Sequence, residues 1–216
     1  MFSLDDICRS THLQKTHGLI NMVSYALQSY DNFTEFVRFK LDYAVSELES
    51  TANKIGFEQT EDALTLYLLA LVKEPLVGFD AYHEVNQRGH CDITLKLGDF
   101  VWHGEAKKHS SGYAYLFKGY AQLTERYSTG SVTSCSGGLI IYNNNQLCSD
   151  VMMKWKNFLQ KNAVRIHASK ISPLLSGCNK NPLVFYSVHK HTLTNLDYRV
   201  IHYPINFYHD PKDRKL

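Results

Sequence analysis

Apolar residues recur along this chain at two distinct periods, and the change from one to the other divides it into layers. Between 33 and 48 they fall at Phe33, Phe36, Val37, Leu41, Ala44, Val45 and Leu48, the spacing of a buried helical stripe. That stripe predicts a helix opening near Asp31 or Asn32, either of which can cap it, with Glu35 in the first turn and Gly56 at or beyond its end. A preceding helix is predicted from 13 to about 29. Leu64, Leu68, Leu71 and Val72 mark a third helix. Thr60 is its expected N-cap, Glu61 and Asp62 sit in the first turn where the macrodipole favours acids, and Pro75 stops it. The period then drops to two, predicting extended runs at about 78–85, 92–97 and 100–107. Helical spacing returns from Tyr113 through Gln122 to Tyr127. GGLIIY at 137–142 reads as a strand buried on both faces. Ser149 or Asp150 is expected to cap a further helix ending near Lys161. Strands follow at 164–168, 183–188 and 198–203, before the polar tail HDPKDRKL.

The resulting order is helix, three strands, helix, strand, then more α and β. Three strands in a meander followed by a helical crossover build a mixed sheet. Its centre is legible in DITLKLGDFVWHGEAKK, 92–108. Gly98-Asp99 between two alternating runs is a two-residue hairpin signal, with Gly supplying positive φ. This turn pairs Leu97 with Phe100 and sets Asp92 opposite Glu105. Ile93, Leu95, Leu97, Phe100 and Trp102 share one face. Asp92, Thr94, Lys96, Val101, His103, Glu105 and Lys107 share the other.

Carboxylates facing each other across strands repel, and more so when recessed. Three arrangements relieve this: one acid keeps its proton, a cation sits between them, or each pairs with a lysine on a solvated face. A hard divalent ion such as Mg²⁺ prefers carboxylate oxygens. With Lys107 beside it, such a centre suits phosphodiester hydrolysis, in which the metal activates water and the ammonium orients or deprotonates that water or stabilises developing charge. The acid-x-lysine pattern occurs three times, at Glu105/Lys107, Asp210/Lys212 and Asp213/Lys215, but only Glu105 has an acid across a strand pair.

Composition narrows the class. The chain has 216 residues, 44% hydrophobic and 12% aromatic, enough for a substantial core. A net charge of only +2 excludes a globally basic nucleic-acid binder, so any basic footprint is local. The five cysteines form no CxxC pair and are expected as reduced core thiols. The N-terminus has no signal-peptide pattern, and the longest apolar run, LYLLALV, is too short to span a bilayer. A soluble, cytoplasmic protein without membrane association is the expectation.

In HCDITL, GEAKK, the YAQLTERY helix, GGLIIY and the helix bearing Glu61, the chain resembles the PD-(D/E)xK nuclease superfamily over about 60–142. The resemblance implies a single α/β nuclease domain with a restriction-endonuclease-like core, a mixed central sheet flanked by helices. The core would occupy 58–145, between an N-terminal helical extension (1–57) and a C-terminal α+β extension (146–216). It implies a metal-dependent nuclease cutting DNA. Asp92 and Glu105 would hold Mg²⁺, or Mn²⁺ in its place, and Lys107 would act on the nucleophilic water. Glu61 is the candidate additional acid and metal ligand, with Glu84 its rival. Some relatives carry a Gln and a Tyr one helical turn apart after the lysine strand. Here Gln122 and Tyr127 are five apart and Gln122 and Arg126 four, which on a regular helix favours Gln122 with Arg126 and puts the tyrosine in question. The family's usual Pro before the first acid is replaced by Cys91. An ATPase or helicase partner, a homodimer, and a role in antiviral defence or a mobile element are further family-level expectations. The alternative is a non-catalytic nucleic-acid-binding or assembly subunit that has kept the fold.

Two other signals remain. His189, His191, His202 and His209 raise zinc, but without a cysteine pair or HExxH they are expected as ordinary core or surface histidines; His90 and His103 lie nearer the acids, and His103 shares their face. Lys107, Lys108, Lys118 and Arg126 interleave with Tyr113, Tyr115, Phe117 and Tyr120, a pattern able to follow phosphates and stack on bases, or to form a helix with a core face and a solvated face.

Overall fold

The computed structural model describes residues 3–83, 85–86, 90–110, 112–145, 147–165 and 171–211. Five helices come first: α1 (Leu4–Arg9), α2 (Thr11–Ala26), α3 (Tyr30–Ser50), α4 (Ala52–Ile55) and α5 (Glu61–Val72). Strand β1 (Phe79–Tyr82) precedes a small hairpin of β2 (Val85–Asn86) and β3 (His90–Cys91). Then come β4 (Ile93–Leu97), β5 (Phe100–His109), α6 (Tyr113–Gln122) with a π-helical turn at Leu123–Tyr127, β6 (Ser136–Asn143), α7 (Cys148–Asn162), β7 (Leu174–Gly177), β8 (Phe185–Lys190) and β9 (Asp197–Asn206). Seven strands form one mixed sheet in the order β1-β4-β5-β6-β9-β8-β7. The first three run antiparallel, and β6 is parallel to both neighbours. The C-terminal strands therefore continue the same sheet as the hairpin.

The hairpin register is the one the turn dictates, with Leu97 opposite Phe100 and Thr94 opposite His103. Gly98 has φ 57°, which a side chain would resist. Asp92 lies just before β4, and its Oδ2 accepts a hydrogen bond from the Ala106 backbone N–H at 3.0 Å. Both sheet faces are covered. Ile93, Leu95 and Trp102 pack with α2–α5, while Leu139, Ile141 and Val200 pack with α6 and α7. Strand β6 is buried at every position, as a strand with helices on both faces must be. Its Gly137 and Gly138 are packing requirements: a Cβ on Gly138 would lie 2.4 Å from the Trp102 ring.

Several boundaries differ from the sequence expectation. Ser29, not Asp31 or Asn32, caps α3 by accepting from the Asn32 N–H at 3.1 Å, and the first-turn acid is Asp31, not Glu35. The helix ends at Ser50, and Gly56 follows the separate turn α4. Thr60 caps α5 as expected, accepting from the Ala63 N–H at 3.1 Å. The helix stops at Val72, and Pro75 opens a 3-10 turn. Neither Ser149 nor Asp150 caps α7, whose N-cap is Leu147. The strand expected at 164–168 is absent at Val164 and Arg165, which belong to a 3-10 turn, and its remainder lies outside the described residues. Strand β7 carried no apolar alternation because it is a mostly exposed edge. Glu84 and the tail beyond 211 also lie outside the described residues. Among the described residues no helix is long and apolar enough to cross a membrane.

All five cysteines are unpaired. Cys91 and Cys148 are buried, whereas Cys8 is exposed and so is no core residue. Three of the late histidines, His189, His191 and His202, are buried and hydrogen-bonded. His202 is fully buried, its Nδ1 accepting from the Trp155 indole N–H at 3.1 Å and its Nε2 lying 2.9 Å from Ser187 Oγ. That fixes the proton on Nε2. His191 bonds Ser128 at 2.9 Å, and His189 lies 3.4 Å from the Tyr120 hydroxyl. His209 is exposed. Burial, then the neighbouring His189, pushes His202 down to about 3. We predict that the His202 ring resonances stay at their neutral positions when the folded protein is titrated from pH 8 to 5 by NMR. A midpoint near the ordinary imidazole value would refute the buried, doubly bonded placement.

Candidate active site

Strand β5 places Glu105, Lys107 and His109 on one face, two residues apart, beneath α6. Burial of Glu105 to 1% exposure and of Lys107 to 6% removes the solvated-face arrangement. Instead, one ammonium gathers three carboxylates. Lys107 Nζ lies 2.7 Å from Glu105 Oε1, 3.1 Å from Glu61 Oε1 and 3.3 Å from Asp92 Oδ2. It also donates to the Ala106 carbonyl at 2.7 Å. The acids come from three elements: the first turn of α5, the entrance to β4, and β5 itself. Glu61 is anchored a second time, its Oε2 accepting from the Lys108 backbone N–H at 2.7 Å. The Tyr115 hydroxyl donates to Glu61 Oε1 at 3.1 Å.

The electrostatics are unbalanced. Three carboxylates against one ammonium leave the cluster at −2 when all are ionised. Burial pushes the Glu105 carboxyl up to about 7; Lys107 pulls it down, while Asp92 and Glu61 push it further up. Burial acts on Lys107 in the opposite sense, yet Glu105 and then Asp92 and Glu61 outweigh it, so its ammonium is held above the ordinary lysine range. Lys107 is thus held as a positive charge within this cluster.

A divalent cation is a reasonable occupant on the chemistry of the donors. They are all carboxylate oxygens, and Glu105 Oε2 is buried with no hydrogen-bond partner. Among the described residues, no three His, Cys, Asp or Glu side chains are preassembled as a ligand set. The Lys107 ammonium is the point on which the three carboxylates converge.

The helix above the site solves a spacing problem. Gln122 and Tyr127 are five apart, but the backbone from Leu123 to Tyr127 is π-helical, and its wider turn brings residues five apart onto one face. Gln122 Nε2 lies 3.4 Å from the Tyr127 hydroxyl. Tyr127 is buried, and its hydroxyl is pushed up by burial first and then by Glu105, Cys91 and Asp92. The expected pairing of Gln122 with Arg126 is replaced by Gln122 with Tyr127, and Arg126 is exposed. A single inserted π turn has no local sequence signature, which is why regular spacing misjudged it.

Two more roles at the site escaped the sequence. Tyr115 carries the hydroxyl that holds Glu61. Gly119 lets α6 lie on the ion pair: a Cβ there would be 2.7 Å from Lys107 Cγ and 3.2 Å from Glu105 Cγ. A glycine inside an otherwise regular helix was the available signal. The basic and aromatic string from 107 to 126 is, by contrast, divided. Lys108 is bound to the Phe57 and Gln59 carbonyls, Tyr120 is fully buried, and Phe117 packs on Phe158. Tyr115, Lys118 and Arg126 remain exposed. His103 is buried and pushed down to about 4 by burial; its Nδ1 is 3.4 Å from Thr94 Oγ1, which makes it a neutral packing residue.

Comparison with protein-family models, with curated proteins and with solved structures found no match to this chain.

Two predictions follow from the geometry. The folded chain retains on Glu105 a proton that the unfolded chain loses above about pH 4.5, so its contribution is complete below that pH and disappears as pH rises through about 7. In metal-free buffer, Glu105→Gln should gain stability on the wild type across this window, by up to ~3 kcal/mol. Urea unfolding at pH 4.5 and 8 measures it, and a pH-independent difference would exclude the raised carboxyl. Gly119→Val should destabilise by about 1–3 kcal/mol through overpacking on Lys107. Ala114→Val, on the exposed start of the same helix, should cost ~0.5 kcal/mol; equal melting shifts for the two variants would count against the close approach.

Proposed function

We propose that this chain is a metal-dependent nuclease that hydrolyses DNA phosphodiester bonds on a restriction-endonuclease-like core. The observation that carries the reading is the convergence of Glu61, Asp92 and Glu105 on the Lys107 ammonium. The surrounding order supports it: α5, then β1, β4 and β5 in an antiparallel meander, α6, and β6 parallel to β5.

Asp92, Glu105 and Glu61 would hold Mg²⁺ or Mn²⁺. The bound ion would acidify a coordinated water and neutralise phosphate charge. The chain's own residues do the rest. Lys107, held protonated, supplies a preorganised positive charge for the extra negative charge that builds on the phosphoryl oxygens. Tyr115, whose hydroxyl donates to Glu61, would help to keep that carboxylate in place. Gln122 and Tyr127, braced against each other beside the acids, present an amide and a hydroxyl able to orient a phosphate oxygen. A second reading, a binding or assembly subunit without catalysis, draws on the ammonium's position, since a permanently closed ion cluster would need no metal.

Choice of variant matters. Lys107→Ala leaves three carboxylates without their cation and should itself destabilise by about 3–5 kcal/mol, so it is not the clean control that the motif suggests. Asp92→Asn is better. It removes one charge from a like-charged cluster and keeps an oxygen for the Ala106 N–H. We expect Mg²⁺-dependent cleavage of double- or single-stranded DNA that EDTA stops. Asp92→Asn should lower the rate at least ~100-fold, on the scale of losing a principal electrostatic contact, with a melting temperature equal to or above the wild type. No cleavage of DNA with either Mg²⁺ or Mn²⁺ would favour the non-catalytic reading; undiminished cleavage by Asp92→Asn would place the chemistry elsewhere.

A further inference from the structure

The net charge of +2 conceals a strong polarity. Residues 3–72, which hold α1–α5, contain ten acids and five bases, a net of −5. Residues 113–165, which hold α6, β6 and α7, contain six bases and two acids, a net of +4. Because α2–α5 and α6–α7 pack on opposite faces of the sheet, this is a separation in space as well as in sequence.

The positive layer has an ordered exposed stripe. On α7 the buried residues Val151, Met152, Trp155 and Leu159 face the sheet. Lys154, Lys161 and Arg165 are exposed, seven and then four residues apart. At 100° per residue Lys154 and Lys161 lie within about 20° of one another on α7, and Arg165 follows in the 3-10 turn that continues the helix. Lys118 and Arg126, on α6 and its π turn, are exposed on the neighbouring element, which packs on α7 through Phe117 and Phe158. Among the described residues none of these five cations enters an ion pair. A solvated helix of this kind ordinarily mixes both signs; here Lys154 onward has bases and no acid through Arg165.

We propose that the outer face of α7, with Lys118 and Arg126 beside it, is the surface along which the phosphate backbone of a nucleic acid runs. It would bind the strand at a distance from the acids that act on it. The proposal rests on the nuclease reading for its partner, but it concerns binding and is tested separately from cleavage. Contacts of this kind carry no base information, so the surface should bind without sequence preference. The acidic helical layer would repel the same backbone, which restricts approach to one side of the sheet.

The test is equilibrium binding of a fluorescent 20-base-pair duplex and a 20-nucleotide single strand to the full chain in EDTA. The wild type is compared with K154Q/K161Q/R165Q and with K15Q/K54Q/K73Q, which lose the same charge from exposed positions outside this face. The first triple variant should bind duplex about 10- to 100-fold more weakly, and its log K against log salt should be shallower by about 3. The control triple should match the wild type. Equal losses in both would reduce the effect to net charge and overturn the surface, as would no loss in either. Absence of wild-type binding, or binding only to vesicles of acidic lipid, would also overturn it. Metal-dependent cleavage, followed on gels, separates failure of the surface from failure of the nuclease reading: cleavage with intact binding in the first triple would sink the surface alone.

Discussion

The Lys107 ammonium is the constraint around which this structure is arranged. A buried lysine without partners would lose its proton or unfold its surroundings. Here it is retained by three carboxylates, and those carboxylates come from up to 46 residues away in the chain. Glu61 ties the first turn of α5 to the end of β5, and Asp92 ties the start of β4 to Ala106 and Lys107. The cluster therefore joins one helical layer to the centre of the sheet. With all three acids ionised it would carry an excess of negative charge, which Glu105 relieves by keeping its proton up to about pH 7.

Covering such a cluster requires a helix that approaches closely and still leaves the polar groups partnered. Gly119 permits the approach because it carries no Cβ to strike Lys107. The π turn at Leu123–Tyr127 then rotates Tyr127 toward Gln122 and the acids while Leu123 stays in the core beside Leu116 and Tyr120. A regular helix could not satisfy both demands with this sequence, because five residues at 100° carry Tyr127 well off the Gln122 face. One wider turn restores the pairing at the cost of poorer backbone hydrogen bonding.

What the sequence disclosed and what it withheld follow from the range of the interactions. The hairpin was legible because Gly98-Asp99 fixes its register locally, and register determines which side chains share a face. From that alone Asp92, Glu105 and Lys107 could be set together. Local pattern gives Glu61 only as a first-turn acid, and the resemblance alone made it a candidate site residue; its approach to Lys107 depends on how α5 packs against β5, which no local pattern encodes. Burial of the acid face was not legible, since alternation of polar and apolar residues on β5 looks the same whether the polar face meets water or a helix. The strand β7 and the π turn were missed for the same reason, both being set by neighbours and not by propensity. The caps show the limit in miniature: Thr60 was identified from the acids after it, whereas Ser29 was passed over for Asp31 and Asn32, equally good formers one turn away.

The position of the cluster relative to the two helical layers gives the arrangement a direction. Glu61 enters from the acidic layer, in the first turn of α5. Gly119, Gln122 and Tyr127 belong to α6, in the basic layer. The acids thus lie between a layer of net negative charge and one of net positive charge. A polyanion drawn to the basic side would meet the carboxylates only at this seam, and there like charges would oppose it unless cations intervened. Lys107 is one such cation, already in place. With Glu105 ionised, the remaining deficit of positive charge equals what a divalent ion would supply, and that equality supports the chemistry proposed for the cluster.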